Sequence, residues 1–324
     1  MKYLVTGAAG FLGRHLACAI EASGDSVVRY SRSTGGDILD PARVRAAAYG
    51  CVGVFHCAGR VSRRKEDAED LYRLHVEGTK VVLDACAQAG VKRAVVASTS
   101  GTVAVADDPR REATEEDRAP IELFGRWPYY RSKFFAEKAA LARSCPGFDV
   151  VCINPSLLLG PGDVNGSSTG DVAAFVDGKV WVAPSGGLSF VDVRDAAEAM
   201  RVAMDRGRPG ERYLVGACNC SFGDFFARLA RVSGRPAPFV LPRSRHVARV
   251  GAALYDRASA LFGSPAGDGV AADMGQYFWY LDASKAARDL AFRPRDPQVT
   301  LHETVADLIA RGVVWPRIDR SVAR

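Results

Sequence analysis

Two groups of residues carry the first chemical signal in this chain. Tyr129 and Lys133 stand four apart in Tyr129-Tyr130-Arg131-Ser132-Lys133, and the run Ala97-Ser98-Thr99-Ser100-Gly101-Thr102 lies upstream. On a helix, residues four apart share a face, so Tyr129 and Lys133 can enter one cleft. An ammonium beside a phenol stabilises tyrosinate and lowers its pKa, which makes Tyr129 usable as a proton donor and acceptor near neutrality. The same spacing also occurs on plain surface helices. The hydroxyl run separates the two cases, because ligands bind at the carboxyl ends of central parallel strands. Counting forward from Lys92-Arg93 makes Thr99 the catalytic hydroxyl, and counting back from Val103 allows Ser100; Thr99 is preferred.

A second signal lies at the N-terminus. The apolar run 2–6 (KYLVT) meets Gly7-Ala8-Ala9-Gly10-Phe11-Leu12-Gly13, and Leu12, Leu16, Ala19 and Ile20 then recur at helical spacing. Strand, glycine turn and helix in that order bring backbone amides and a helix dipole to a pyrophosphate. Such folds often carry an acid at the end of the second strand, where it binds ribose hydroxyls. Here that place reads Tyr30-Ser31-Arg32-Ser33, with Arg29 nearby. An arginine can pair with a 2′-phosphate, and no carboxylate repels it. The expected cofactor is therefore NADP(H), with NAD(H) possible; the plain alternative is an exposed loop arginine.

These groups need a scaffold. Apolar runs at 26–30, 52–56, 93–98 and 149–154 alternate with helical patterns at 68–89 and 129–143. Strands without polar alternation, separated by helices, predict an α/β fold with a doubly wound parallel sheet covered on both faces. Beyond Gly160 the pattern changes: 160–187 is rich in Gly, Ser and Asp, while 193–206 and 221–233 read as helices. Residues 247–261 read as an amphipathic helix packing on its own domain, and Thr300…Glu303 has capping-box spacing opening a last helix to Ala310.

Composition narrows the partners. The 324 residues are 48% apolar and 25% charged, with a net charge of +6. Lys and Arg are scattered and no basic–aromatic stripe occurs, which argues against nucleic acid. No run of about eighteen uncharged apolar residues can span a membrane. Eight cysteines, mostly in apolar runs, fit a reducing compartment, and Cys218-Asn219-Cys220 reads as a loop with two thiols, not a metal site. With the first strand at the start there is no room for a signal peptide, so a cytoplasmic protein is expected.

The chain resembles the extended short-chain dehydrogenase/reductase family, of NAD-dependent epimerase/dehydratase type, and is closest in character to dihydroflavonol reductases and 3β-hydroxysteroid dehydrogenases. The matching stretches are TGAAGFLG (6–13), GDILD (36–40), VFHCAG (54–59), VEGTKVVLDACAQAGVKRAVVASTS (76–100), YYRSKFFAE (129–137), NPSLLLGPGD (154–163) and SFVDVRDAAEA (189–199). The resemblance implies a Rossmann-type sheet over 1–160, with 189–216 returning to it. A smaller substrate-binding lobe would come from 161–188 and 217–324.

It also implies roles. Gly7, Gly10 and Gly13 would hold the pyrophosphate, with Phe11 and Leu12 lining it, and Asp37 and Ile38 would border the adenine. Cys57, Ala58 and Gly59 would pass the ribose and phosphates, while Pro155 and Ser156 would line the nicotinamide end. Tyr129 would be the acid/base, and Lys133 would hold the nicotinamide ribose and lower the Tyr129 pKa. A homodimer through the long helices is implied as well.

Two departures stand out. His75 replaces an asparagine usual in the family, and it receives no role. Sugar-nucleotide members tend to carry Arg and Asn where this chain has Asn154 and Leu157, and leucine offers a diphosphate no hydrogen bond. Leu157, Leu158 and Leu159, with Trp181 and Phe190, point to a largely apolar small molecule, although such residues also build cores. The expected reaction is NADPH-dependent reduction of a ketone or the reverse oxidation. The alternatives are a sugar-nucleotide epimerase or dehydratase with NAD, and a non-catalytic NADPH sensor. Residues 115–127 are expected to form part of a mobile substrate loop.

Overall fold

The computed structural model describes residues 1–242 and 269–315. Its first half alternates short apolar strands with helices: β1 (Lys2–Thr6), α1 (Phe11–Ala22), β2 (Ser26–Tyr30), α2 (Pro41–Ala48) and β3 (Gly53–His56). Next come α3 (Ala68–Tyr72), a π-helical turn over Arg73–Glu77, α4 (Gly78–Gln88) and β4 (Arg93–Ala97). The single turn α5 (Ile121–Phe124), α6 (Pro128–Leu141) and β5 (Asp149–Pro155) follow. The second half opens with β6 (Leu157–Leu159), α7 (Gly170–Val176), β7 (Val182–Ala183), β8 (Gly187–Asp192), α8 (Val193–Arg206) and β9 (Arg212–Val215). It closes with β10 (Cys218–Ser221), α9 (Phe222–Ser233), β11 (Phe239–Val240), α10 (Gly269–Met274), α11 (Ser284–Leu290) and α12 (Pro297–Ala310).

Because their strands carry apolar residues on both faces, β1, β3, β4 and β5 lie inside a six-stranded sheet of order β2-β1-β3-β4-β5-β9. All five pairings are parallel. One core, with Val5, Phe55, Val95, Val151 and Ile153, is covered by α1 and α8; the opposite core, with Leu4, Val54, Ala94 and Val150, is covered by α2 and α4. This is a Rossmann-type doubly wound sheet. The chain leaves β1 for β2 on one side and returns to β3 on the other, which opens a crevice at the carboxyl ends of β1 and β3.

Only Ser156 separates β5 from β6, and there the chain leaves the large sheet. β6 pairs in parallel with β8, and β10 pairs antiparallel with β8. A third core, with Phe175, Phe190, Phe226 and Leu301, fills the space under this small sheet. Residues 189–192 thus belong to the small sheet within β8, and the return to the large one is made by α8 and β9.

Several local expectations change. Cys218-Asn219-Cys220 is a strand, not a loop, and among the described residues no His/Cys/Asp/Glu group is arranged to hold a metal. The last helix begins three residues before Thr300, because Asp296 caps the Gln298 amide at 2.6 Å and Pro297 takes the first turn. The pattern at 68–89 is helical from Ala68 to Gln88, with a π-helical turn over Arg73–Glu77 set into it. The expected helix at 247–261 lies outside the described residues. No described helix is long and apolar enough to cross a membrane.

Candidate active site

The crevice begins at the glycine turn. Gly7 has φ +68°, and a Cβ there would lie 2.6 Å from the Ala58 amide nitrogen, so β1 and β3 meet only without a side chain. A Cβ on Gly13 would collide with the Gly7 carbonyl oxygen. α1 starts after Gly10 with no side-chain cap and no acid in its first turn. Phe11 is buried edge-on to His15 at 5.7 Å, and Leu12 packs against the core, so both offer the crevice backbone and not side chain. Bare helix amides behind close-packed glycines fit a pyrophosphate.

Around it, Ser31 opens a short 3₁₀ turn whose hydroxyls bond one another, Ser31 Oγ to Ser33 Oγ at 2.8 Å. Arg32 is exposed there. Arg29 is already held by Glu21 at 3.1 and 2.7 Å, which leaves Arg32 as the cation for an incoming anion at this turn. The Asp37 carboxylate accepts the Leu39 amide at 2.9 Å, and Ile38 is buried against Gly78, where a Cβ would clash with it. The Cys57 thiol points into the core toward Met200 Sδ at 3.9 Å, and burial pushes it up to about 12, so it is no nucleophile. Ala58 donates its amide to Thr6 Oγ1 at 3.4 Å. Pro155 ends β5, and the buried Ser156 Oγ beside it has no hydrogen-bond partner among the described residues.

The chemistry-bearing side chains meet at the end of β4. Tyr129 and Lys133 lie on the first turns of α6, and the Thr99 side chain lies close enough to Tyr129 to favour its ionised form slightly. Ser100 instead opens a 3₁₀ turn, where its carbonyl accepts from Val103 and Ala104 at 2.9 and 2.7 Å. Lys133 Nζ donates to Ala97 O at 2.6 Å. The phenol is not lowered here: desolvation, followed by the neighbouring Tyr130, pushes Tyr129 above the ordinary tyrosine range. Burial lowers the Lys133 ammonium too, its proton being spent on a carbonyl.

Below this cluster lies a polar network that sequence reading missed. Glu137, 3% exposed, accepts from Thr102 Oγ1 at 3.2 Å, Asn154 Nδ2 at 2.6 Å, Arg212 Nη1 at 3.1 Å and also Ser98 Oγ. Asn154 Nδ2 also reaches Thr99 O at 3.1 Å, so Asn154 holds the Thr99–Thr102 turn from beneath. The available signal was the spacing Tyr129, Lys133, Glu137, three residues on one helix face.

Two buried histidines border the cluster. His56 bonds Thr6 Oγ1 at 2.7 Å and Thr79 Oγ1 at 3.0 Å, and burial holds its imidazole down to about 3. His75, on the π-helical turn, takes the Arg60 amide on Nε2 at 3.1 Å and is likewise held well below its usual range by burial. In the unfolded chain both return to about 6.5 and bind protons that the native state refuses. Stability is therefore expected to fall as pH drops from about 6.5 toward 3, by roughly 1.4 kcal/mol per pH unit from His56, with His75 adding a loss in the same direction. Urea midpoints measured between about pH 7 and pH 5 test this, and a flat profile contradicts it.

The apolar wall differs from expectation. Trp181, just before β7, is 72% exposed and Phe190 is core against Phe225, so neither faces Tyr129. Tyr130 stacks on Trp279 at 4.8 Å and meets Tyr129 at 5.1 Å, while Trp127 joins them at 6.1 Å from Tyr130. Residues 115–127 are tied down: Glu115 accepts the Leu214 amide at 2.7 Å, Phe124 is buried, and Trp127 Nε1 donates to Asp273 at 2.9 Å.

Comparison with known proteins places this geometry in context. Residues 3–216 match the model of the NAD dependent epimerase/dehydratase family. A putative dihydroflavonol 4-reductase from Synechocystis sp. is 32% identical over 95% of this chain and 93% of its own. Sterol demethylase protein B from Methylococcus capsulatus is 32% identical over 74% of this chain and 76% of its own. The crystal structure of a nucleoside-diphosphate-sugar epimerase from Pseudomonas aeruginosa superposes with TM-score 0.77 and 25% identity, covering 97% of this chain and 99% of its own.

Proposed function

The chain belongs to the NAD-dependent epimerase/dehydratase family and is an NAD(P)-dependent oxidoreductase acting on a small molecule; from that premise we propose that it reduces a ketone on a largely apolar substrate with NADPH, or runs the reverse oxidation. The observation that carries this reading is the convergence of Tyr129 and Lys133 from α6 with Thr99 at the end of β4. Bound NADPH supplies the hydride to the carbonyl carbon. Thr99 and Tyr129 hold the carbonyl oxygen as charge develops on it, and Tyr129 gives it the proton. A phenol whose pKa is raised stays protonated at neutral pH, the form a reduction needs. Lys133 orients the nicotinamide ribose, and Tyr130, Trp127 and Trp279 favour an apolar substrate body.

Arg32 is the residue proposed to prefer the 2′-phosphate. Arg32→Ala is expected to weaken NADPH binding roughly ten- to a hundredfold and to leave NADH binding unchanged. Titration with both cofactors checks it, and equal loss for the two contradicts the assignment. The likeness to a nucleoside-diphosphate-sugar epimerase supports a second reading, in which NAD stays bound through a closed redox cycle. Leu157 and the missing acid at Ser31-Arg32 weigh against that reading. Turnover of a panel of apolar ketones and UDP-sugars decides between the two. A homodimer through α4 and α6 is proposed from the family resemblance, and sedimentation tests it.

A further inference from the structure

His75 has no part in the reaction described above, yet it touches three pieces of the site. The Arg60 amide donates to Nε2 at 3.1 Å, which makes that nitrogen the acceptor. The neutral ring then carries its proton on Nδ1 and donates to Ser132 Oγ at 2.8 Å. Ser132 Oγ passes the chain on to the Tyr129 carbonyl at 2.8 Å. The ring also stands edge-on to the Tyr129 ring at 5.8 Å. Such closeness to the cofactor-side loop requires Gly59, where a Cβ would lie 3.2 Å from Nε2.

Local structure explains how the ring arrives there. His75 lies in the π-helical turn, whose extra residue per turn re-aims side chains that a continuous helix would direct elsewhere. The ring is 2% exposed, and both its nitrogens are bonded. Any buried imidazole needs partners for both nitrogens; what is particular to His75 is that its partners are the cofactor-side loop and the first turns of α6.

We propose that His75 is a positioning residue, fixing the first turn of α6, and with it Tyr129, against the Gly59–Arg60 loop beside the cofactor. The inference rests on Tyr129 being the acid/base. The titratable and charged groups facing the ring are Tyr129 and Lys133 from α6, His56 from β3 and Arg60 from the loop. The ring itself stays neutral through the working range because it is buried among cations.

The test compares His75→Phe, His75→Asn and Ser132→Ala in the full chain by two readouts. The first is ketone turnover across pH. His75→Phe keeps the volume and loses both bonds, so kcat falls roughly ten- to a hundredfold while the ketone KM stays within about twofold. His75→Asn retains a donor toward Ser132 and recovers part of the loss.

The second readout is amide hydrogen exchange, which needs no substrate. Faster exchange confined to peptides spanning 58–62 and 128–134, with β1 and β5 unchanged, supports positioning. Wild-type exchange and kinetics in His75→Phe overturn the proposal, and so does exchange raised across the whole large sheet, which marks simple core filling. Should His75→Phe not fold, Ser132→Ala removes only the link to Tyr129 and must show the same local exchange and kcat loss. If wild-type protein turns over no ketone, the reductase reading fails, and exchange alone decides the role of His75.

Discussion

Tyr129→Phe is expected to lower kcat for ketone reduction by roughly 10²–10⁴-fold while leaving NADPH affinity within about twofold. The substitution deletes one hydroxyl from a ring that stays packed against His75 and Tyr130. It removes the proton donor and one of two hydrogen bonds to the developing oxyanion, and Thr99 retains the other. Thr99→Ala should then cost less, since Tyr129 still supplies the proton; Thr99→Val tests the same loss with the β-branched shape kept. Stopped-flow mixing of enzyme–NADPH with ketone isolates the chemical step. A Tyr129→Phe enzyme that turns over like wild type would point to a sensor or to a different acid.

Arg212→Ala should cost about 3–5 kcal/mol of stability, because it leaves the Glu137 carboxylate buried without its cation. Glu137 is 3% exposed and its Oε1 is the Arg212 partner at 3.1 Å. Arg212 also donates to Glu115 O at 2.8 Å and to Asp117 O at 3.2 Å, so the loss spreads from β9 to the 115–117 segment. Glu137→Gln in the Arg212→Ala background should recover part of the loss by removing the stranded charge while keeping hydrogen-bond capacity for Asn154. Chemical denaturation of the single and double variants measures both. If Arg212→Ala unfolds at the wild-type midpoint, the pair is not stabilising and Glu137 has gained a proton or water instead. The catalytic turn sits on this network through Asn154 and Thr102, so residual activity should fall together with stability.

The sequence by itself determined what depends on local pattern. Gly7, Gly10 and Gly13 between an apolar run and a helical one specify strand, turn and helix, since no other residue type fits the Gly7 backbone or the Gly13 approach. Uninterrupted apolar runs specify a buried parallel sheet, and the four-residue spacing of Tyr129 and Lys133 specifies a shared face. Motif spacing brought Thr99 to the site but left Ser100 open, because one residue in a turn reverses a side chain's direction.

Only the tertiary structure decided the rest, and the reasons are long-range. Thr99 comes beside Tyr129 across 30 residues of chain, and Glu137 meets Arg212 across 75. Trp181 and Phe190 are both apolar in sequence, yet one lies on the surface and the other in the core, while Trp279 comes from far along the chain to stack on Tyr130. The direction of the Tyr129 shift depends on how much protein surrounds the phenol. His75 drew attention as a departure from the family pattern, but its bonds to Arg60 and Ser132 arise only when a π-helical turn, a β3 loop and α6 converge. Periodicity reports which face a residue occupies along one element; what that face meets is decided by how the elements pack.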